Sequence, residues 1–318
     1  MKSLKVVFMG SPEFAVPSLE ALQASRHQIL AVVSGSDKRR RRGGQPEPTD
    51  VKRRALELGL SVLEVDDPKS EEAFELLSAL NADLFVVVAF KILPPRLLAL
   101  PAIGSVNLHA SLLPKYRGAA PIHRAVMEGV EETGCTIFML DERVDTGKVL
   151  ARHREPVGPD ETTGDVYDRL KRAGANLLVE TLDALADGSL QPEPQNDSEA
   201  TQAPKLFREN TRIDFHLPAE QVHNFVRGLQ PFPVAWCMYG DAKMNVHRTR
   251  RMESIGIEEE RTKLGATGKP GGLHADGGRL LVECGDGMLE ILRLQLPGTK
   301  KMTGREFING YGTDKPLH

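Results

Sequence analysis

Asp83-Leu-Phe-Val-Val-Val-Ala-Phe90 places seven apolar residues in a row after its aspartate, without the alternation of a strand that has one face in water. Such a run fits a central parallel strand covered on both faces. Working outward toward the amino terminus, Lys69 to Leu80 has helical apolar spacing and Ser61 to Val65 reads as a strand. Thr49-Asp50 opens a helix that Gly59 stops. Gln28 to Val33 and Lys5 to Met9 are two further strands; the latter runs through Gly10-Ser11-Pro12 into Phe14, Val16, Leu19 and Leu22 at helical spacing. Strands alternating with helices predict a doubly wound, Rossmann-like α/β domain. Its first turn lacks Gly-x-Gly-x-x-Gly, so no dinucleotide is expected there.

Working outward the other way, Ile103-Gly-Ser-Val-Asn-Leu-His-Ala-Ser-Leu-Leu-Pro-Lys-Tyr-Arg-Gly118 starts as a strand and ends as a loop. Strand side chains repeat with period two, so Asn107 and His109 leave one face together. Pro114 cannot donate to a central ladder, which puts the amide and imidazole at the carboxyl end of a strand, where open α/β sheets bind ligands. A helix follows from Ala119 to Gly129. Gly134 to Leu140 and Lys148 to His153 form an expected antiparallel pair around the polar loop Asp141-Glu-Arg-Val-Asp-Thr-Gly147, from which Asp145 can return a carboxylate to His109. Thr162 to Ala186 is a long amphipathic helix.

At 318 residues the chain exceeds the size of one growing core, and two domains are expected. A net charge of −3 gives no global case for nucleic-acid binding. Cys135, Cys237 and Cys284 are far apart, which argues against a disulfide framework and against a zinc site, and no metal is expected. The opening apolar run holds Lys5 and meets Gly10-Ser11-Pro12, unlike a signal peptide, so a cytoplasmic location is expected. Residues 189–207, rich in Pro, Gln, Glu and Ser, read as a linker between a first domain over 1–188 and a second over 208–318. In the second, a helix from Pro218 to Leu229 precedes short strands at Val234 to Tyr239, Lys243 to His247, Leu280 to Glu283 and Leu289 to Leu294. Glycine-rich turns separate them, the texture of a small β-barrel.

Asn-x-His followed by Ser-Leu-Leu-Pro-x-x-Arg-Gly-Ala-Ala-Pro, with Asp-Thr-Gly at 145–147, resembles the 10-formyltetrahydrofolate-dependent formyltransferase family. The resemblance covers nearly the whole chain, including Gly10-Ser-Pro-Glu-Phe14, Arg227-Gly-Leu-Gln-Pro-Phe-Pro-Val-Ala-Trp236 and Leu294-Gln-Leu-Pro-Gly-Thr-Lys-Lys-Met302. It implies an OB-like second domain, 10-formyltetrahydrofolate as formyl donor, and Asn107, His109 and Asp145 as the catalytic group. The folate is then expected at Ser111, Leu112, Leu113 and Pro114, with Phe90 and Ile92 opposite. In the family an aromatic-Gly pair, with one residue more, stands before Ile-Leu-Pro; here Phe90-Lys91 takes its place. The late motifs narrow the expected acceptor to the methionyl group on initiator tRNA, and a monomer is expected.

One local feature bears on that acceptor. Lys38, Arg39, Arg40, Arg41 and Arg42 are consecutive cations beside glycines and prolines in the connection after the second strand. Such a run repels itself and has nothing to bury, so it is expected as an exposed, mobile tRNA-binding loop. Three rivals stay open: a sugar-nucleotide N-formyltransferase, with no evident use for this loop; a formyltetrahydrofolate hydrolase, with no amine acceptor; and a noncatalytic RNA-binding protein, with no need of the polar triad.

Overall fold

The computed structural model describes residues 2–39, 44–252 and 268–318, and they fall into two compact units. The first comprises Met1–Pro121, Glu132–Pro156 and Tyr167–Ala203, and the second Ile122–Glu131, Val157–Val166 and Pro204–His318.

In the first unit, β1 (Lys5–Gly10), β2 (Gln28–Ser34), β5 (Val62–Glu64), β6 (Leu84–Val88), β7 (Gly104–His109), β8 (Glu132–Met139) and β9 (Val149–Pro156) build one sheet, in the order β5-β2-β1-β6-β7-β8-β9. The pairings are parallel from β5 to β7 and antiparallel from β7 to β9. The chain first grows the sheet outward from β1 through β2 to β5, then returns to add β6 on the other side. The reversal between β1 and β6 is a topological switch point of the kind that opens a ligand crevice. The apolar run of the sequence becomes β6 at the centre, all five residues buried. Phe85 and Val87 pack with Val7, Met9, Ala73, Leu77 and Leu97 on one face. Leu84 and Val86, which alternate with them, are also fully buried, so both faces are covered.

Of the helices α1 (Val16–Gln23), α2 (Asp50–Glu57), α3 (Glu71–Ser78), α4 (Pro95–Leu98), α5 (Pro121–Met127) and α6 (Thr163–Ala186), only α4 has no counterpart in the expected elements. Caps start three of them: the Thr49 hydroxyl accepts from the Lys52 amide, the Ser70 hydroxyl from the Ala73 amide and the Thr162 hydroxyl from the Asp165 amide. Gly59 follows α2 at φ +70°, the left-handed conformation that favours glycine.

The basic connection is more ordered at its base than a mobile loop. Lys38–Arg39 (β3) and Pro46–Glu47 (β4) pair as an antiparallel ribbon. Its foot is held by Lys52, whose Nζ binds the Asp37 carboxylate and lies 2.6 Å from Glu64 Oε1. Arg40, Arg41 and Arg42 lie outside the described residues.

The second unit holds α7 (Ala219–Gly228) and an antiparallel sheet of β10 (Ala235–Tyr239), β11 (Ala242–Arg251), β12 (Leu273–Asp276), β13 (Arg279–Glu283) and β14 (Met288–Gln295), ordered β10-β11-β14-β13-β12, with β15 (Met302–Thr303) beside β14. The chain's end draws the two edges together. His318 and Met238 exchange both main-chain hydrogen bonds on the β10 side, and the Leu317 amide donates to the Gly271 carbonyl just before β12. The last two residues thus tie the β10 side of the sheet to the segment before β12.

β12 and α8 (Gly304–Tyr311) had no counterpart in the expected elements. A signal for α8 was present in Thr303-x-x-Glu306, which forms a capping box: the Thr303 hydroxyl accepts from the Glu306 amide while Glu306 accepts from the Thr303 amide. The late Arg227-Gly228 motif is structural. Arg227 Nη1 donates to the carbonyls of Gly158 and Glu161 at 3.1 and 2.8 Å, and a Cβ on Gly228 would meet the Met127 amide nitrogen at 2.8 Å.

Candidate active site

β7 ends at the crevice with Asn107 and His109 on its last turn of pleat. Asn107 pairs with Phe138 and His109 with Thr136 across the antiparallel β7/β8 ladder. The Asn107 side chain donates from Nδ2 to the Val87 carbonyl of β6 at 3.1 Å, which fixes the plane of the amide and occupies one of its two hydrogens.

The His109 ring is buried, with its Nε2 2.9 Å from the Tyr116 carbonyl and its edge against Phe138 at a centroid distance of 6.4 Å. A carbonyl only accepts, so Nε2 carries a hydrogen. Nδ1 is therefore the ring nitrogen left to exchange a proton. It lies 3.8 Å from Asp145 Oδ2. That separation is longer than a hydrogen bond but within the reach of an ion pair.

Asp145 reaches this position from the loop between β8 and β9. Its backbone is left-handed, at φ +58°, an uncommon state for a residue with a side chain. Its Oδ2 accepts from the Gly118 amide at 2.8 Å. The sequence signal for this loop was Asp-Thr-Gly, and the glycine has a steric reason: a Cβ on Gly147 would stand 1.7 Å from the Met139 carbonyl oxygen. Gly147→Ala is therefore expected to destabilise the protein by roughly 1 to 3 kcal/mol, as overpacking against backbone does. Thermal denaturation checks this, and an unchanged midpoint would contradict the close approach.

The residues expected around the folate fall into two groups. Ser111 and Leu113 are turned inward. The Ser111 hydroxyl donates to the Lys115 carbonyl at 2.6 Å, and Leu113 packs with Phe138 and Val149. The Thr136 hydroxyl accepts from the Leu113 amide and donates to the Ser111 carbonyl, so these two residues shape the loop more than they present side chains. Leu112, lying over Gly134, and Pro114 are half-buried. On the other loop Phe90 is half-buried and Ile92 is 74% exposed. Leu140 packs both against the cluster that includes Leu93 and against the cluster of Leu113, Phe138 and Val149. Lys91, the residue that departs from the family pattern, donates from Nζ to the Val65 carbonyl at 2.8 Å and also binds Asp66. The Asp66 carboxyl is held at about 2, chiefly by hydrogen bonds from the Ser36 hydroxyl and amide. Residues Ser36, Asp66 and Lys91 thus brace the connections that follow β2, β5 and β6 at the carboxyl edge.

Lys38 and Arg39 are exposed on their ribbon. His216 lies on the surface, with its side chain 81% exposed. His223 is buried, with Nδ1 2.9 Å from the Thr249 hydroxyl and Nε2 3.1 Å from Asp160. Burial lowers its pKa below the ordinary histidine value.

The carboxyl end of β7 presents an amide and an imidazole with the Asp145 carboxylate beside them, and comparison with known proteins identifies the family. Residues 4–182 match the formyl transferase family and residues 205–312 the formyl transferase C-terminal domain. The chain belongs to the formyl transferase family. It is 43% identical over 311 residues to a methionyl-tRNA formyltransferase of Chlorobium luteolum, covering 97% of each chain. It is 44% identical over 312 residues to one of Heliobacterium modesticaldum, covering 96% of this chain and 97% of the relative. A similar fold occurs in the crystal structure of the N-formyltransferase of Helicobacter canadensis in complex with folinic acid and dTDP-3-aminofucose, with a TM-score of 0.67 and 19% identity over 91% of this chain and 98% of that one. No described helix is long and apolar enough to cross a membrane.

Proposed function

We propose that the chain transfers the formyl group of 10-formyltetrahydrofolate to the α-amino group of methionine on initiator tRNA, with Asn107, His109 and Asp145 as catalytic residues. The full-length likeness, through both domains, to methionyl-tRNA formyltransferases carries the choice of acceptor. The carboxylate beside His109 Nδ1 supports the choice of residues.

The reaction joins the amine nitrogen to the formyl carbon, passes through a tetrahedral adduct, and breaks the bond to the folate nitrogen. The adduct's oxygen gains negative charge and the attacking amine must lose a proton. A neutral amide such as Asn107 donates to that oxygen without titrating. His109 is anchored through Nε2 to the Tyr116 carbonyl, so its Nδ1 takes the amine's proton and returns it to the departing folate nitrogen. Asp145 stabilises the imidazolium while it exists and is itself held by the Gly118 amide. The folate ring is placed between the loop of Ser111 to Pro114 and that of Phe90 to Leu93, with Leu112, Pro114, Phe90 and Ile92 as the side chains left to meet it. The cations Lys38 to Arg42 are placed on the acceptor RNA.

The test is incubation with 10-formyltetrahydrofolate and either charged initiator tRNA, an amino sugar nucleotide, or no acceptor. Formylmethionyl-tRNA is the expected product. Formylated sugar, or free formate without an acceptor, would replace this reading with a sugar-transferase or hydrolase one.

A further inference from the structure

Residues 191–199 are exposed, with one exception, Gln195. Its amide is used completely. Nε2 donates to the Asp145 carbonyl at 3.0 Å and to the Gly147 carbonyl at 2.8 Å, so both hydrogens hold the main chain on either side of Thr146. Oε1 accepts from Arg117 Nη2 at 2.7 Å, and the same nitrogen reaches Asp197 Oδ1 at 2.7 Å.

Arg117 sits between the two residues that touch the proposed catalytic pair. The Tyr116 carbonyl takes the His109 ring hydrogen, and the Gly118 amide holds the Asp145 carboxylate. Gln195 thus joins the Asp145 loop to the loop that anchors His109. The strand-like stretch around it adds further ties: Glu193 exchanges main-chain bonds with Val149, the Arg117 amide donates to the Thr201 carbonyl, and the Ala203 amide donates to the Arg117 carbonyl. The Thr201 hydroxyl accepts from the Tyr116 amide at 2.9 Å. There is no room for slack at this seam, since a Cβ on Gly118 would meet the Ala203 carbonyl oxygen at 2.7 Å.

We propose that Gln195, with Arg117, is a positioning residue for formyl transfer: it clamps the Asp145 loop to the 116–118 loop and so sets the separation of the Asp145 carboxylate from His109 Nδ1. The inference rests on the proposed catalytic roles of His109 and Asp145. The clamp is needed because Asp145 is left-handed, a conformation that costs on the order of 1 kcal/mol or more and persists only where its surroundings hold it. Without the two amide donors the loop relaxes and carries the carboxylate with it.

The experiment compares Gln195→Leu, which removes donors and acceptor, with Gln195→Glu, which keeps the size and a partner for Arg117 but has no amide donors. A misplacement of about 1 Å costs up to the order of a hundredfold, so both variants should lose roughly ten- to a hundredfold in kcat. Their KM values for folate and tRNA should stay near those of the wild type. A residue that only supports the fold would not give this division, nor the next result: in an Asp145→Ala background, Gln195→Leu should cost little more, because nothing remains to be positioned. Wild-type kcat in both single variants, or the full loss repeated on Asp145→Ala, overturns the clamp. If Asp145→Ala itself turns over normally, the catalytic reading fails and the clamp falls with it. If Asp145→Ala is impaired while the Gln195 variants are not, the clamp alone falls.

Discussion

His109→Ala is expected to fold, to bind both substrates and to lose turnover by roughly a hundred- to ten-thousandfold, the range of a positioned acid–base group. The ring is buried and donates from Nε2 to the Tyr116 carbonyl, so its removal leaves a small space and takes one donor from that carbonyl, without breaking the core. The loss belongs in the chemical step, because Nδ1 is the ring nitrogen left to take a proton and it lies beside the Asp145 carboxylate. Asn107→Ala and Asp145→Ala should behave alike, and pairs of these changes should cost much less than the product of the single losses. Single-turnover formylation at saturating folate, with circular dichroism and folate titration as controls, is the measurement. A His109→Ala protein with nearly the wild-type single-turnover rate would remove His109 from the chemistry.

Replacing Arg39, Arg40, Arg41 and Arg42 with Ala is expected to raise KM for initiator tRNA about tenfold or more and to leave folate binding intact. The expectation follows from the proposed acceptor and from charge. The chain carries −3 overall, so attraction to RNA has to come from a local cluster, and this is the densest one in the sequence. Its described base, the Lys38–Arg39 ribbon, follows β2 at the carboxyl edge of the sheet, the edge that bears His109. For every phosphate that no longer meets an arginine, the dependence of log affinity on log salt should flatten by a slope of roughly 0.7 to 0.9. Measuring KM from low to moderate salt for both proteins decides the point, and identical KM with identical slope would show that these arginines do not touch the RNA.

Much of the fold could be read locally. The unbroken apolar run of β6 had to be covered on both sides, and it is. Asn107 and His109 are two residues apart on one strand, so period two places them together in whatever fold that strand joins. The antiparallel pair around Asp145 was also legible, as two apolar runs flanking a short polar loop. Other elements were hidden by composition. β12 is four residues long and flanked by glycines. The paired β3 and β4 are two residues each, in a stretch whose charge argues for no structure.

Gln195 shows where sequence reading stops. Pro-Glu-Pro-Gln within 189–207 has the composition of a linker, yet its last residue is the one that returns to Asp145, 50 positions earlier. The sequence by itself determined the identities that chemistry requires, the faces on which strand residues lie, and the helix starts and stops, because each depends on neighbours within a turn or a pleat. The tertiary structure alone decided the 3.8 Å between His109 and Asp145, the clamp by Gln195 and Arg117, and the closing of the second sheet's edges by Leu317 and His318. Those are contacts between distant segments, whose partners are selected by burial and main-chain pairing over the whole unit, and no short window of residues contains both sides of them.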